Sequence, residues 1–500
     1  MASSESAKRT HDKGCPMPMI IVEVEAEFQP LVDALQETIG EVRAFRAAAA
    51  AGGVNYGLVE ERMSAGAARM ERAGHQLALQ GLDIDAEEVV VHGERYRRVL
   101  QKVRGSYYTM AGAVSVERTL YRKRGDDNGK TVDAVSLRAG VLGDGWLPRT
   151  AQAMAFECQR GPSREAEAAS KQWLRLPYSR SAFEDVAHLL GEQYDANRQS
   201  VERALIEAYQ PPAEAASVSV SLDRVSVPME EPRPKPVGRP KKNAPKRPIT
   251  RVYRMAYAAT VTIHDAEGKA LHTNRYGRMP RGDIDGLCEG LADDVEVLLK
   301  KRPDFKVALL SDGAPEMWNR LGACINEQEI GRPVARLVDF WHLEEKLGKA
   351  ASVLQKDDVE RAALLRRWRL DLLNHSTAAE RILETLKASG QEHVKVGEER
   401  PVHDAITYFE NHPGDFDYAS ARRNGLPIGS GNVEATCKSL YEVRLKRSGC
   451  RWKEVSGAHI VDLRALALSD RWDEAIKRTM EPLRAEVTLK TAQIQSAAAA

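Results

Sequence analysis

Apolar positions change their period several times along the chain, and each change marks a different kind of element. In residues 30–50, Val32, Leu35, Ile39 and Val42 recur at three-four-three spacing, a narrow seam on one helix, with Pro30 at a first-turn position that tolerates it. Two heptads make a marginal coiled coil, so the seam predicts packing within the chain ahead of a dimer. Gly52-Gly53 ends this helix, and a second spans about residues 58–80. The pattern then becomes strand-like. Val89-Val90-Val91, residues 106–109 and residues 114–121 are rich in β-branched and aromatic side chains, with a small-residue turn at 110–113. Val114, Val116, Arg118, Leu120 and Arg122 alternate onto one face, where basic groups serve either edge protection or DNA contact. Residues 148–209 return to helical spacing. A helix over 162–173, a turn through Leu176-Pro177-Tyr178 and a capping box at Ser181-Ala182-Phe183-Glu184 predict a helix-turn-helix.

From Val218 the pattern predicts an α/β layer. Val218, Val220, Leu222, Val225 and Val227 form a strand that carries Asp223. Residues 251–263 and 271–277 are two more strands, and an amphipathic helix follows at 283–301. A short apolar strand at 307–310 ends in Ser311-Asp312-Gly313-Ala314, with a helix from Pro315. Another at 336–338 ends in Asp339-Phe340-Trp341-His342, again before a helix. Three strands, then helix, strand, helix, strand, helix, is the order of an RNase H-like sheet with mixed strand direction. Residues 344–424 are helical throughout and predict an all-α insertion. After it, a Pro/Gly-rich turn ends at Ser430 or Asn432, either of which can cap a helix that carries Glu434 in its first turn. The predicted organisation is therefore a helical region at 1–80, a small β-rich domain at 81–147 and a helix-turn-helix-like DNA-binding domain at 148–212. An α/β catalytic domain follows in two parts, 213–343 and 425–475, around the insertion at 344–424, with a tail at 476–500.

Composition narrows this further. Five hundred residues exceed one hydrophobic core, and 43% apolar content is globular. No run approaches the roughly 18 apolar residues of a membrane span, and residues 1–18 lack the apolar stretch of a signal peptide. The expectation is a soluble cytoplasmic protein with no membrane partner. Six scattered cysteines show no zinc-ligand spacing, so neither disulfides nor structural zinc is indicated. With a net charge of +1, any basic surface must be local. One such segment is Pro-rich residues 228–248, which carry seven basic residues and no acid between Arg233 and Arg247 and cannot form a core. Its Gly238-Arg239-Pro240-Lys241-Lys242 resembles the Gly-Arg-Pro core of an AT-hook. Arg239, Lys241 and Lys242 are therefore expected to contact DNA without sequence specificity.

Strand ends and neighbouring helix starts of an α/β sheet open on one crevice. Asp223, Asp312 and Glu434 there could hold two Mg²⁺ ions, or Mn²⁺ in their place, about 3.5–4 Å apart, the pair that activates a hydroxyl and stabilises the leaving oxygen of a phosphodiester. Without metal, three carboxylates buried together would repel until one took up a proton. Plainer readings stand beside this one: an Asp223–Arg224 ion pair, a simple turn at Asp312-Gly313, and a first-turn Glu434 that only complements the helix dipole. Asp339 holds an equivalent strand-end position, so spacing alone does not choose Asp312 over it.

Four stretches in order carry a resemblance. They are Ser221-Leu222-Asp223-Arg224-Val225, Leu310-Ser311-Asp312-Gly313-Ala314-Pro315-Glu316-Met317-Trp318, residues 339–347 from Asp339 through His342, and residues 426–438 around Glu434 with the trailing residues 444–452. Together they resemble bacterial insertion-sequence transposases of the Kra group, DDE enzymes related in plan to the Mutator superfamily, over about residues 88–472. The resemblance implies an RNase H-like catalytic domain interrupted by an α-helical insertion, with Asp223, Asp312 and Glu434 as catalytic acids and metal ligands. It places Asp339 and His342 in an Asp-x-x-His pattern with a DNA-positioning or supporting role. It implies cleavage at element ends and strand transfer, with terminal inverted repeats and target DNA as partners, a homodimer or higher oligomer on DNA, and a place in the bacterial nucleoid. Lys438, Arg444, Lys446, Arg447 and Arg451 are expected at phosphates, which makes binding salt-dependent. Two other readings remain: a DNA-binding architectural or regulatory protein without catalysis, and an RNase H-like nuclease that cuts without joining.

Overall fold

The computed structural model describes residues 22–231 and 251–489. Arg239, Lys241 and Lys242, the polar start at 1–18 and the end at 496–500 lie outside the described residues. The chain divides into two compact units, residues 1–81 and 82–500.

The first unit is a helical hairpin of α1 (Gln29–Ala50) and α2 (Tyr56–Gln80), the latter capped by the Asn55 side chain. Arg69 of α2 reaches Glu37 and Glu41 of α1 at 3.1 and 2.8 Å. The expected seam does not do the packing. Ala34 is buried, while Leu35, Ile39 and Val42 stay exposed, because α1 turns Ala34 and Thr38 toward α2, where a Cβ on Gly66 would lie 2.8 Å from Thr38.

The second unit is mixed α/β with two sheets and many helices. Its first half runs β1 (Glu88–Val91), β2 (Glu94–Thr109), β3 (Gly112–Lys123), β4 (Val132–Asp133), α3 (Ala134–Ala139), α4 (Pro148–Arg160), α5 (Ser163–Gln172), α6 (Arg180–Ala208), β5 (Ser217–Glu230), β6 (Arg251–His264), β7 (Ala270–Arg278) and α7 (Ile284–Lys301). Then come β8 (Lys306–Ser311), α8 (Pro315–Cys324), α9 (Glu327–Ile330), β9 (Val334–Val338), α10 (Phe340–Leu354), α11 (Asp358–Asn374), α12 (Ala378–Ala388), α13 (Pro401–Asn411) and α14 (Tyr418–Arg423). The chain closes with α15 (Gly431–Thr436), a π-helical turn at Cys437–Glu442, α16 (Val443–Leu445), α17 (Glu454–Leu468), α18 (Trp472–Met480) and β10 (Val487–Leu489). From β5 to α10 the order of elements matches the sequence reading except for the short α9, which was not expected.

The first sheet has the order β10-β1-β2-β3-β4, antiparallel throughout. Register shifts near Leu100 move the buried face of β3 from Val114 and Val116 to Thr119 and Tyr121. Arg118, expected on a shared basic face, turns instead to Asp133 at 2.9 Å. Part of the expected tail is an edge strand, since β10 pairs with β1 and buries Val487.

The second sheet has the order β7-β6-β5-β8-β9, with β7-β6-β5 antiparallel and β5-β8-β9 parallel. Val218, Val220 and Leu222 of β5 are fully buried, as a central strand covered on both faces requires. One apolar cluster joins this sheet to α7, α8 and the helices α10–α14 through Leu298, Leu309, Leu343, Trp368 and Phe409. A second joins α4–α6 to the far half of β5 and to α17 and α18, through Phe183, Leu190, Val227 and Val461. Residues 148–209 are thus packed into one core with α17 and α18. Helix α6 also starts earlier than the expected box: Ser179 caps it by accepting from the Ala182 amide at 3.4 Å, and Glu184 accepts from Ser163 instead. No helix among the described residues is long and apolar enough to cross a membrane.

Candidate active site

Three neighbouring parallel strands bring three aspartates to one level of the second sheet, Asp312 and Asp339 just past the ends of β8 and β9 and Asp223 within β5 where its pairing with β8 has stopped. The β5–β8 ladder ends at Ser221–Leu310, two residues before Asp223. The β8–β9 ladder ends at Ser311–Val338, so Asp312 and Asp339 follow in the same register. The Asp339 amide also donates to the Ser311 carbonyl at 2.8 Å.

Each acid is held by its own set of donors. Asp312 Oδ1 accepts from the Ala314 amide at 2.9 Å, which tightens a turn through Gly313 at φ +92°. A Cβ there would be strained and would meet both Tyr408 and His412 at 3.0 Å, so glycine is required. From α13, the Tyr408 hydroxyl donates to the Asp312 carbonyl at 2.9 Å. Asp223 accepts from the Arg224 amide at 2.6 Å and, on its other oxygen, from the Cys437 thiol at 3.4 Å.

Asp339 is fully buried and accepts four hydrogen bonds. Its Oδ1 takes the amide and Nδ1 of His342 at 2.9 and 3.1 Å, while Oδ2 takes the Ser430 amide and, at 2.9 Å, the Ser430 hydroxyl. The expectation that Ser430 or Asn432 caps this helix is thus corrected: Asn432 lies inside α15, and α15 has no side-chain cap. The hydroxyl instead ties the turn before α15 to the start of α10, and the Phe340 amide adds a bond to the Ile428 carbonyl at 3.0 Å. Glu434, one helical turn beyond Ser430, lies 3.8 Å from His342 Nδ1. Among the described residues, Asp339, His342 and Glu434 can offer ligand atoms all within 4.8 Å of one another. This grouping differs from the expected Asp223, Asp312 and Glu434.

The acids sense each other. Burial pushes the Asp223 carboxyl up; the Arg224 amide opposes this, and the charge of Asp312 adds to it. Burial likewise raises Glu434, with Asp339, Asp223 and Asp312 adding and His342 opposing. At Asp339 burial also acts upward, yet its hydrogen bonds from His342 and Ser430 outweigh it and hold the carboxyl below its ordinary range. The bond to Asp339 pushes His342 up to about 9 against burial, helped by the charges of Asp339, Glu434 and Asp312.

The donor set fits hard cations. Both Asp339 oxygens are taken by donors, so Asp339 is suited to hold the loop, and His342 Nδ1 is itself engaged with Asp339. Among the described residues, Asp312 and Glu434 each keep a carboxylate oxygen that accepts no hydrogen bond, and Asp223 Oδ2 has only the weak thiol. Carboxylate oxygens of this kind suit Mg²⁺, which binds few protein groups and keeps waters.

The expected DNA contacts separate into two groups. Lys438 is exposed. Lys446, Arg447 and Arg451 lie at the surface against Glu442 at 2.9 Å, Glu165 at 2.6 Å and Glu230 at 3.3 Å. Arg444 corrects the expectation: it is 4% exposed, its guanidinium donates to the Cys158 carbonyl at 2.8 and 3.2 Å, and it lies over the Trp452 ring at 4.9 Å. Burial lowers it to about 10. It fastens the chain end to α4 and is not presented to a phosphate. Two site residues have no role in the sequence reading, and a third has a different one. Cys437 had a signal, one helical turn after Glu434; Ser430 was read as a cap; Tyr408, 96 positions from Asp312, had no local signal.

No family model matches the chain, and no curated protein matches it. Among solved structures the chain is similar to a Drosophila P element transposase strand transfer complex, at 13% identity over 67% of this chain and 83% of that one, with a TM-score of 0.21. At that score the likeness fixes neither fold nor chemistry.

Proposed function

We propose that this chain is a DDE-type DNA transposase that cleaves element ends and transfers the freed strand into target DNA. The observation that carries the reading is the convergence of Asp223, Asp312 and Asp339 at one level of a parallel β5-β8-β9 layer, with Glu434 tied to that level through Ser430. On this reading the sheet is RNase H-like and residues 344–424 are an insertion between β9 and the Glu434 helix. The four stretches that resemble Kra-group transposases fall on these elements.

Asp223, Asp312 and Glu434 are the residues that would hold divalent cations, Mg²⁺ or Mn²⁺. Two such ions, when bound, supply activation of the attacking oxygen and stabilisation of the leaving oxygen of a phosphodiester. Asp339 acts by position: its bonds to Ser430 and His342 set where Glu434 starts. His342 links the two acids by position, with Nδ1 3.1 Å from Asp339 and 3.8 Å from Glu434. Lys438, Lys446, Arg447 and Arg451, with Arg239, Lys241 and Lys242 on the basic segment, take the phosphates. Joining two ends needs two such sites, so the working form is a homodimer or higher oligomer on terminal inverted repeats and target DNA, in the nucleoid.

The test is a cleavage assay on end DNA with Mg²⁺, comparing wild type with Asp312→Asn. The expected result is cutting by wild type, and binding without cutting by the variant. Cutting by Asp312→Asn at the wild-type rate sinks the assignment. Binding without any cutting by wild type supports a non-catalytic DNA-binding protein, and cutting without joined products supports a nuclease.

A further inference from the structure

Trp341 is half exposed (53%), although it sits between Asp339 and His342 in the first turn of α10. Large aromatic side chains are usually covered, and this one is held open by its neighbours. A Cβ built on Gly429 would lie 3.2 Å from indole Cδ1 and Nε1 and 3.5 Å from Asp339 Oδ2, so the indole edge and the acid pocket are separated by about one residue's width. Arg369 of α11 reaches across, with its guanidinium 5.0 Å from the ring centroid and 3.4 Å from Glu344. Trp341 also lines a recess of about 350 Å³ together with Leu365, Trp368 and Leu372, and Glu344 and Glu345 face the same space. The recess combines a π-face, apolar walls, a cation and carboxylate acceptors.

We infer that Trp341 and Arg369 form a stacking platform for an unpaired nucleobase of the DNA strand whose phosphodiester lies at the acids. This rests on the transposase reading and extends it to a specific subsite. A flat base gains from an aromatic face regardless of its sequence. The guanidinium suits the adjoining phosphate, and the carboxylates of Glu344 and Glu345 suit exocyclic amino groups. A paired base inside a duplex presents no free face, so the platform distinguishes frayed or single-stranded DNA from fully paired DNA.

The experiment is fluorescence anisotropy of the full-length protein, without divalent metal, on two labelled oligonucleotides: a blunt duplex, and the same duplex with a short single-stranded extension. Wild type, Trp341→Ala and Trp341→Phe are compared, with thermal melts to check that each is folded. The expected result is about ten-fold weaker binding of the extended duplex by Trp341→Ala, unchanged blunt-duplex binding, and near-wild-type behaviour of Trp341→Phe. Equal affinity of wild type and Trp341→Ala for the extended duplex overturns the inference, as does an equal loss on both DNAs. Because the readout needs no catalysis, a wild type that cuts end DNA alongside an unaffected Trp341→Ala removes the platform and leaves the transposase reading standing. A wild type that binds neither DNA removes both.

Discussion

Ser430→Asp separates two accounts of the turn before Glu434. If Ser430 were a helix cap, aspartate would replace it at almost no cost, because Asp and Ser cap about equally well. The structure instead turns the hydroxyl onto buried Asp339 Oδ2 at 2.9 Å, where Ser430 is itself 2% exposed. The substitution removes that donor and faces one carboxylate with another. At about 4 Å and an effective dielectric near 20 the repulsion is about 4 kcal/mol. Protonating one carboxyl at pH 7 is the alternative, and about three pH units at 1.36 kcal/mol each again gives roughly 4 kcal/mol. Ser430→Ala loses only the bond to a charged acceptor, about 1.5–3 kcal/mol. Urea unfolding at pH 7 should therefore rank wild type above Ser430→Ala above Ser430→Asp, and the last deficit should shrink toward pH 4 as a carboxyl takes up a proton. Equal stability of wild type and Ser430→Asp at pH 7 would refute the account of Asp339 as a clamp.

Other substitutions test separate links. Arg444→Ala should cost about 3 kcal/mol in urea unfolding through its lost bonds to Cys158 and its lost packing, while leaving the salt dependence of DNA binding unchanged. Lys438→Ala should do the reverse, lowering the slope of log affinity against log salt by about 1 with little change in stability; a reversed pattern would return Arg444 to the DNA surface. Gly313→Ala should cost about 2 kcal/mol and slow cleavage, because φ is +92° and Tyr408 and His412 leave no room; a wild-type melt would show that the turn yields. Asp294 of α7 is buried, accepts the Tyr276 hydroxyl, and is pushed up by burial to about 7 from 3.8. Folding thus favours its protonated form, so its contribution is full below about pH 4 and is lost by about 4 kcal/mol as pH rises through 7. Asp294→Asn should gain on wild type between pH 4 and 8, and parallel stability curves would refute this.

The strands and acids of the second sheet were legible because their signals are local. Alternation or short apolar runs mark β5, β8 and β9; Asp312 and Asp339 directly follow β8 and β9, and Asp223 lies within β5 two residues past the end of its parallel pairing with β8. What escaped depends on partners distant in sequence. Nothing near Arg444 announces the Cys158 carbonyl, 286 positions away, and a basic run of residues reads as surface until a core closes over one of them. Strand β10 exists because β1 offers an open edge, and the 3-residue segment alone carries no pattern. Ser430 suits a helix cap by residue type, yet the stronger acceptor, buried Asp339, claims its hydroxyl. The same competition explains why Asp339, indistinguishable from Asp312 by spacing, emerges as the acid whose oxygens are already occupied. The basic segment containing Arg239, Lys241 and Lys242 lies outside the described residues and stays as read from composition.

The central claim is chemical, and strand transfer tests it most directly. DNA carrying the ends of the encoding element is incubated with target DNA and Mg²⁺, with wild type and Glu434→Gln side by side. The account predicts joined products from wild type and none from Glu434→Gln, which keeps the side-chain shape and loses the charge while still binding the ends. Joined products from Glu434→Gln at the wild-type rate, or none from wild type on verified ends in Mg²⁺ or Mn²⁺ despite firm binding, would contradict it.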